Sequence, residues 1–186
     1  MSRYDARAEV RALLGQPVAY VGADPGMGGA LALIYEDGRE EEVEVHDMPA
    51  LEIDGKRRMD FWKLAGLLGT WASLYDVKAV AVEKVHAMPL RAAGGAIRQS
   101  PNGLFEFGFA AGALQQAVAS AGLPMVLIPA ATWKAGYGLR GGRENKDMSR
   151  QKASQLFPGH VHLWARKKDD GRAEAVLLAH YGSKLQ

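Results

Sequence analysis

The sequence predicts an α/β domain: a mixed five-stranded sheet, led by a hairpin, with helices on both faces. Three observations carry this. The run from Val18 to about Asp24 is apolar at nearly every position, as a strand covered on both faces must be. Glu41–Met48 alternates, with Val43 and Val45 on one side and Glu42 and Glu44 on the other, which is the pattern of a half-exposed strand near a sheet edge. Segments with apolar residues at helical spacing then separate further short apolar runs, giving the order β-β-β-α-β-α-β-α-α.

In chain order, Tyr4–Leu14 reads as a short amphipathic helix ended by Gly15 and Pro17, an addition ahead of the core fold. Strand one leads to Asp24 and a Gly-rich turn with Gly26, Gly28 and Gly29; strand two spans about Ala30 to Tyr35. Asp37-Gly38 is a hairpin turn signal ahead of strand three. Pro49 to Arg58 has little apolar content and reads as a loop. Asp60 stands where an N-cap belongs, before Phe61, Leu64, Leu67, Leu68, Trp71 and Leu74 at helical spacing. Asp76 breaks that helix, and Val77–Val82 is a buried strand ending in Glu83. His86 to Pro101, rich in Gly, Ala and Pro and carrying Arg91 and Arg98, reads as a mobile recognition loop.

A long helix is expected from Leu104 to Ala121, with Gly108 and Gly112 implying close approach to another element. Met125–Ile128 forms a short strand, followed by a helical turn with Trp133 and Lys134. Gly138 to Asn145 is a flexible Arg/Gly linker, and Lys146 to Phe157 a basic helix ended by Pro158. A short strand or loop around His162-Leu163-Trp164 precedes the last helix, which runs to Tyr181. Right-handed crossovers would set the strand ending at Glu83 beside strand one, so that Asp24 and Glu83 project from neighbouring strand ends.

Composition narrows the chemistry. With 186 residues, 48% of them hydrophobic, one well-cored domain is expected. The absence of cysteine excludes disulfides, thiol catalysis and Cys-type zinc sites, and fits a reducing cytosol. No run approaches a membrane span and no secretory leader precedes the core, so a cytoplasmic protein without a membrane partner is expected. The net charge is only +2, but it is unevenly spread: Arg140, Arg143, Lys146, Arg150 and Lys152 crowd one segment and Arg166, Lys167, Lys168 and Arg172 another, while Glu40, Glu41, Glu42 and Glu44 gather elsewhere. That distribution suits a polyanion-binding face; the alternative is an ordinary solvated surface.

A carboxylate at the end of a buried strand is costly unless it meets a cation, a donor or water. Asp24 could therefore cap its turn or bind a ligand, and Glu83 repeats its arrangement. On the last helix Asp170 and Glu174 are four apart and share a face, and Asp169 could cap that helix instead. Like charges so placed repel, and divalent cations would relieve them. Carboxylates from three elements without cysteine suit Mg²⁺ or Mn²⁺, and two such ions suit phosphodiester hydrolysis. The five histidines show no metal-ligand spacing; His86, near Glu83, is placed either to touch substrate or simply to fill a polar loop. Trp62, Trp71, Trp133 and Trp164 read as core, with Trp133, next to Lys134, the one exception suited to base stacking.

These residues resemble a known family. Gly22-Ala23-Asp24-Pro25-Gly26, with Gly29-Ala30, is similar to the first motif of RuvC-type Holliday junction resolvases, and Val82-Glu83-Lys84-Val85-His86 to their second. Pro129 with Thr132-Trp133-Lys134, then Lys146, resembles the lysine-bearing segment; Lys168-Asp169-Asp170 and Ala173-Glu174-Ala175 resemble the final acidic helix. The likeness covers about Tyr20 to Tyr181, with the motifs in the family's order, and is nearest to the small resolvases of phage and prophage type. It implies an RNase H-like fold over 17–186 behind an N-terminal extension at 1–16, a homodimer in a bacterial or phage-infected cell, and Mg²⁺- or Mn²⁺-dependent paired nicking of four-way DNA junctions.

Carried over by position, Asp24, Glu83 and Glu174 would be metal ligands, with Asp170 slightly favoured over Asp169 as the fourth acid, and Lys134 and Lys146 would sit by the scissile phosphate. Lys84, His86, Arg91, Arg98, Arg140, Arg143, Arg150, Lys167 and Lys168 are the candidate DNA contacts, and the Leu104–Ala121 helix the candidate dimer interface. The sequence departs from the family pattern at Glu174, where Asp is usual, and at Lys84, where a neutral amide is frequent. An RNase H-like nuclease acting on an RNA–DNA hybrid or a flap, a kinase-like fold sharing the Asp-Gly turn, and a non-catalytic nucleic-acid-binding module are the competing readings.

Overall fold

The computed structural model describes residues 15–37, 40–86, 100–139 and 146–185. The expected helix over Tyr4–Leu14, most of the His86–Pro101 loop and most of the Gly138–Asn145 linker lie outside them. Five strands form the main sheet: β1 (Val18–Ala23), β2 (Ala30–Asp37), β3 (Glu40–Asp47), β6 (Asp76–Lys84) and β7 (Met125–Pro129), in the order β3-β2-β1-β6-β7. β1 pairs antiparallel with β2 and parallel with β6, so the strands ending near Asp24 and Glu83 are neighbours, as the sequence predicts. β3 is an edge strand.

The segment expected to be a loop at Pro49–Arg58 is instead a second, two-stranded sheet, β4 (Ala50–Ile53) paired antiparallel with β5 (Lys56–Met59). Its turn is Asp54-Gly55, both with positive φ (51° and 68°), the conformation a two-residue hairpin requires. Helices α1 (Phe61–Leu74) and α2 (Pro101–Ser120) follow β5 and β6. Asp60 and Ser100 cap them, each side chain accepting from a backbone N–H three residues on. After β7 come α3 (Ala130–Gly136), α4 (Lys146–Leu156), a 3₁₀ turn over Pro158–Trp164 where a strand or loop was expected, a second 3₁₀ turn over Lys167–Asp169, and α5 (Asp170–Ser183).

The pleat divides the core into two layers. Val21, Leu31, Leu33, Val80 and Val82 point to one face and pack with Leu64, Leu68, Trp71, Leu114 and Val118 of α1 and α2. Ala30, Ala32 and Ala81 point to the other and meet Val176, Leu177, Leu178 and Ala179 of α5. The second face is lined by small residues because α5 lies almost on the sheet backbone. A Cβ on Gly22 would stand 2.0 Å from the Ala175 carbonyl oxygen and 2.4 Å from the Ala179 nitrogen, so only glycine allows the crossing. This crossing sets the height of α5 and hence the position of Glu174.

Within the described residues, no neighbour lies close to Gly108 or Gly112 of α2, and one expectation about packing is overturned. Trp62 is 89% exposed, because Leu64, Leu68 and Trp71 define the buried stripe of α1 and Trp62 lies off it. Trp71 and Trp164 are core, as expected.

Candidate functional site

The site is assembled at the ends of β1 and β6, under the N-terminal half of α5. Asp24 follows β1, and the chain reverses at once: the Asp24 N–H donates to the Ala30 carbonyl (3.0 Å) and the Gly29 N–H to the Gly26 carbonyl (2.8 Å). A Cβ at Gly29 would meet the Asp24 carbonyl oxygen at 2.3 Å, so the turn closes tightly around the carboxylate. The Gly26 N–H donates to Asp24 Oδ1 (3.2 Å). Gly171 near the start of α5 packs directly on Gly28 and Gly29, which locks the helix to this turn.

Glu83 is the penultimate residue of β6, and the Trp133 indole N–H donates to its Oε2 (2.9 Å). Glu174, one turn into α5, takes Lys134 Nζ (2.9 Å) and the Ser149 hydroxyl (3.0 Å) on Oε1. Lys134 also lies 5.0 Å from the centroid of the Trp133 ring. The short helix α3 thus presents two consecutive side chains to two different acids. Burial raises the Asp24 carboxyl to about 7; the Gly26 N–H opposes the rise, Glu83 and Glu174 add to it, and Lys134 offsets part. Burial likewise raises Glu83, against the Trp133 hydrogen bond and Lys134 and with the help of Glu174. Asp24, Glu83, Glu174 and Lys134 therefore share one electrostatic pocket in which the acids outnumber the cation.

The donor set is hard oxygen, which suits Mg²⁺ or Mn²⁺. In their present rotamers each acid is held by protein donors, and no three His, Cys, Asp or Glu among the described residues are arranged as a ready ion cage. Asp169 is turned elsewhere: the backbone N–H and guanidinium of Arg166 donate to its carboxylate, and this charge-assisted grip holds its carboxyl below the usual range. Arg172 makes a two-pronged contact with Asp47 of β3 (2.6 and 2.8 Å) and donates to the Leu163 carbonyl. Together these arginines tie the start of α5 to β3 and the 3₁₀ turns. Asp170 opens α5 on its half-buried side.

Of the candidate DNA contacts, Lys84, His86, Lys167 and Lys168 are exposed. Arg150 is committed to the protein instead, paired with Asp147 (3.1 Å) and donating to the Ala165 carbonyl (2.9 Å). Lys146 opens α4, and Arg91, Arg98, Arg140 and Arg143 lie outside the described residues. Trp133 is fully buried, so its expected stacking role is replaced by the bond to Glu83. The bond from Ser149 to Glu174 has one sequence signal: Ser149 is three residues beyond Lys146, on the same side of a helix.

No protein-family model matches the chain, and no curated protein matches it in sequence. Solved structures do. Thermus thermophilus RuvC in complex with a Holliday junction substrate superposes with a TM-score of 0.51 at 15% identity, over 90% of this chain and 96% of that one. The fold is RuvC-like. A second T. thermophilus RuvC structure aligns over the same shares at 16% identity and a TM-score of 0.48.

Among the described residues no helix is long and apolar enough to cross a membrane.

Proposed function

We propose that this chain is a Mg²⁺- or Mn²⁺-dependent, structure-selective DNA endonuclease that resolves four-way junctions by paired phosphodiester hydrolysis. The observation that carries the reading is that Asp24 and Glu83 stand at the ends of the neighbouring strands β1 and β6, and that consecutive residues of α3 bind two of the acids, Trp133 holding Glu83 and Lys134 holding Glu174 of α5. The RuvC-like fold supports the same reading, since the solved neighbour holds a Holliday junction substrate.

Asp24, Glu83, Glu174 and Asp170 would hold two ions, which supply an activated water and stabilise the leaving oxygen. The side chains divide the remaining work. Trp133 fixes one oxygen of Glu83. Lys134 neutralises Glu174 in the resting site; once that carboxylate is engaged elsewhere, the ammonium is free to meet a phosphate oxygen. Lys84, Lys167 and Lys168 offer exposed cations for the flanking backbone. Symmetric cutting of a two-fold junction calls for two such sites related by a two-fold axis. The uncovered face of α2 that carries Phe105, Gly108, Phe109 and Gly112 suits helix-on-helix contact in a homodimer, because a partner helix would cover its exposed aromatic rings.

The test is incubation of a four-way junction, a matched linear duplex and an RNA–DNA hybrid with Mg²⁺. Paired nicks on the junction, leaving 5′-phosphates, are expected. Cutting of the hybrid in preference to the junction would replace junction resolution by an RNase H-type activity.

A further inference from the structure

We propose that Ser149 is a positioning residue for Glu174, holding that carboxylate in place for a divalent cation when the Lys134 ammonium leaves it. The inference rests on the metal-dependent reading above. Both side chains donate to the same oxygen, Glu174 Oε1: Lys134 Nζ of α3 at 2.9 Å and the Ser149 hydroxyl of α4 at 3.0 Å. A divalent cation repels an ammonium and competes with it for the carboxylate. A hydroxyl carries no charge, so it keeps its bond while a cation binds.

The packing of α4 singles Ser149 out. Ser149, Ala153 and Phe157 follow one another at four-residue intervals, on the side that α4 turns towards α5. Ala153 and Phe157 are buried in the apolar layer with Ala173, Val176 and Leu177 of α5. Ser149 is only 3% exposed and is the polar member of that stripe. Alanine would fill the same place, and a hydroxyl there is costly unless it is bonded. Helical hydroxyls often turn back on their own helix. Thr70 donates in this way to the Gly66 carbonyl, Ser154 to that of Arg150 and Ser183 to that of His180. Ser149 instead reaches a carboxylate on another helix, 25 residues along the chain. Donors of this kind orient a ligating carboxylate, and losing one typically costs about 10- to 100-fold in metal affinity or activity.

Mn²⁺ binding at pH 8, followed by paramagnetic resonance without DNA, separates this role from cleavage. Ser149→Ala should weaken Mn²⁺ binding about tenfold. Its Tm in EDTA should stay within a few degrees of wild type, because Lys134 still donates to Glu174. Ser149→Cys keeps the shape and replaces the hydroxyl by a weak donor, so it should bind Mn²⁺ as poorly as Ser149→Ala. The same loss, about tenfold, is expected when Ser149→Ala is added to Lys134→Met, since the hydroxyl acts without the ammonium. Wild-type Mn²⁺ affinity in Ser149→Ala would overturn the proposal. Wild-type affinity in Ser149→Cys would also overturn it, by showing that the shape of the side chain matters and its bond does not. So would a loss that disappears in the Lys134→Met background. Weakened Mn²⁺ binding in Ser149→Ala, in a chain that cuts no DNA, would sink the nuclease reading and leave this one standing. Junction cutting by the wild type, with unchanged Mn²⁺ affinity in Ser149→Ala, would do the reverse.

Discussion

Replacing Asp24 by Asn should stabilise the ion-free protein, and by an amount that depends on pH. Burial lifts the Asp24 carboxyl from 3.8 to about 7. A carboxyl with a raised folded pKa keeps its proton in the native state between pH 4 and 7 while the unfolded chain loses it. Stability is therefore lost as pH rises through that window. Roughly three pH units at about 1.4 kcal/mol each set the penalty at about 4 kcal/mol at pH 8 and between about 1 and 2 kcal/mol at pH 5. Asn removes the ionisation and keeps an oxygen that can accept from the Gly26 N–H. Urea unfolding in EDTA at pH 5 and pH 8 measures both ends. The variant should gain over wild type at both, by clearly more at pH 8. No gain at pH 8, or an equal gain at both, would refute the claim that an ionised Asp24 is the strained element of this site.

Three further outcomes follow from the same geometry. Gly22→Ala drives a methyl into the Ala175 carbonyl and the Ala179 nitrogen, backbone atoms that cannot rotate away; it should cost roughly 3 kcal/mol, lower Tm by several degrees and impair cleavage, and a variant with wild-type Tm would contradict the close crossing of α5. Trp133→Phe keeps a buried ring but removes the donor to Glu83; it should cost about 1 kcal/mol, raise the Glu83 pKa further and move the pH–rate profile upward, whereas an unshifted profile would mean the bond does not position that acid. Mn²⁺ affinity, followed by paramagnetic resonance, should fall about tenfold per pH unit below 7 as a proton competes for Asp24, and a flat dependence would exclude Asp24 as a ligand.

The parts of the fold that the residues spell out are those where one physical cause dominates. The unbroken apolar runs before Asp24 and Glu83 can only be strands covered twice, and β1 and β6 are indeed adjacent and parallel. β4 and β5 escaped because their outward residues are charged and their apolar ones too few to show a period; the one legible cue was Asp54-Gly55. Trp62 was misread because hydrophobicity alone does not say which side of a helix a residue occupies, and the buried stripe of α1 is complete without it. In the site, Asp24, Glu83 and Glu174 were visible as carboxylates in costly places. Their protein partners were not, because Trp133 and Ser149 reach them across 50 and 25 residues of chain, a distance that only the tertiary fold closes. Spacing to Glu174 favoured Asp170 only slightly over Asp169; what it could not show is that the Asp169 carboxylate is taken up by Arg166.

The central claim is that Asp24, Glu83 and Glu174 act as one hydrolytic centre. Cleavage of a four-way junction in Mg²⁺ by Asp24→Asn, Glu83→Gln and Glu174→Gln tests it most directly, with junction binding in EDTA measured alongside. The account expects each variant to bind the junction with near wild-type affinity and to cut it at least about a thousandfold more slowly, since interactions that stabilise only the transition state are lost. Any one of the three cutting at the wild-type rate would place the chemistry elsewhere in the molecule.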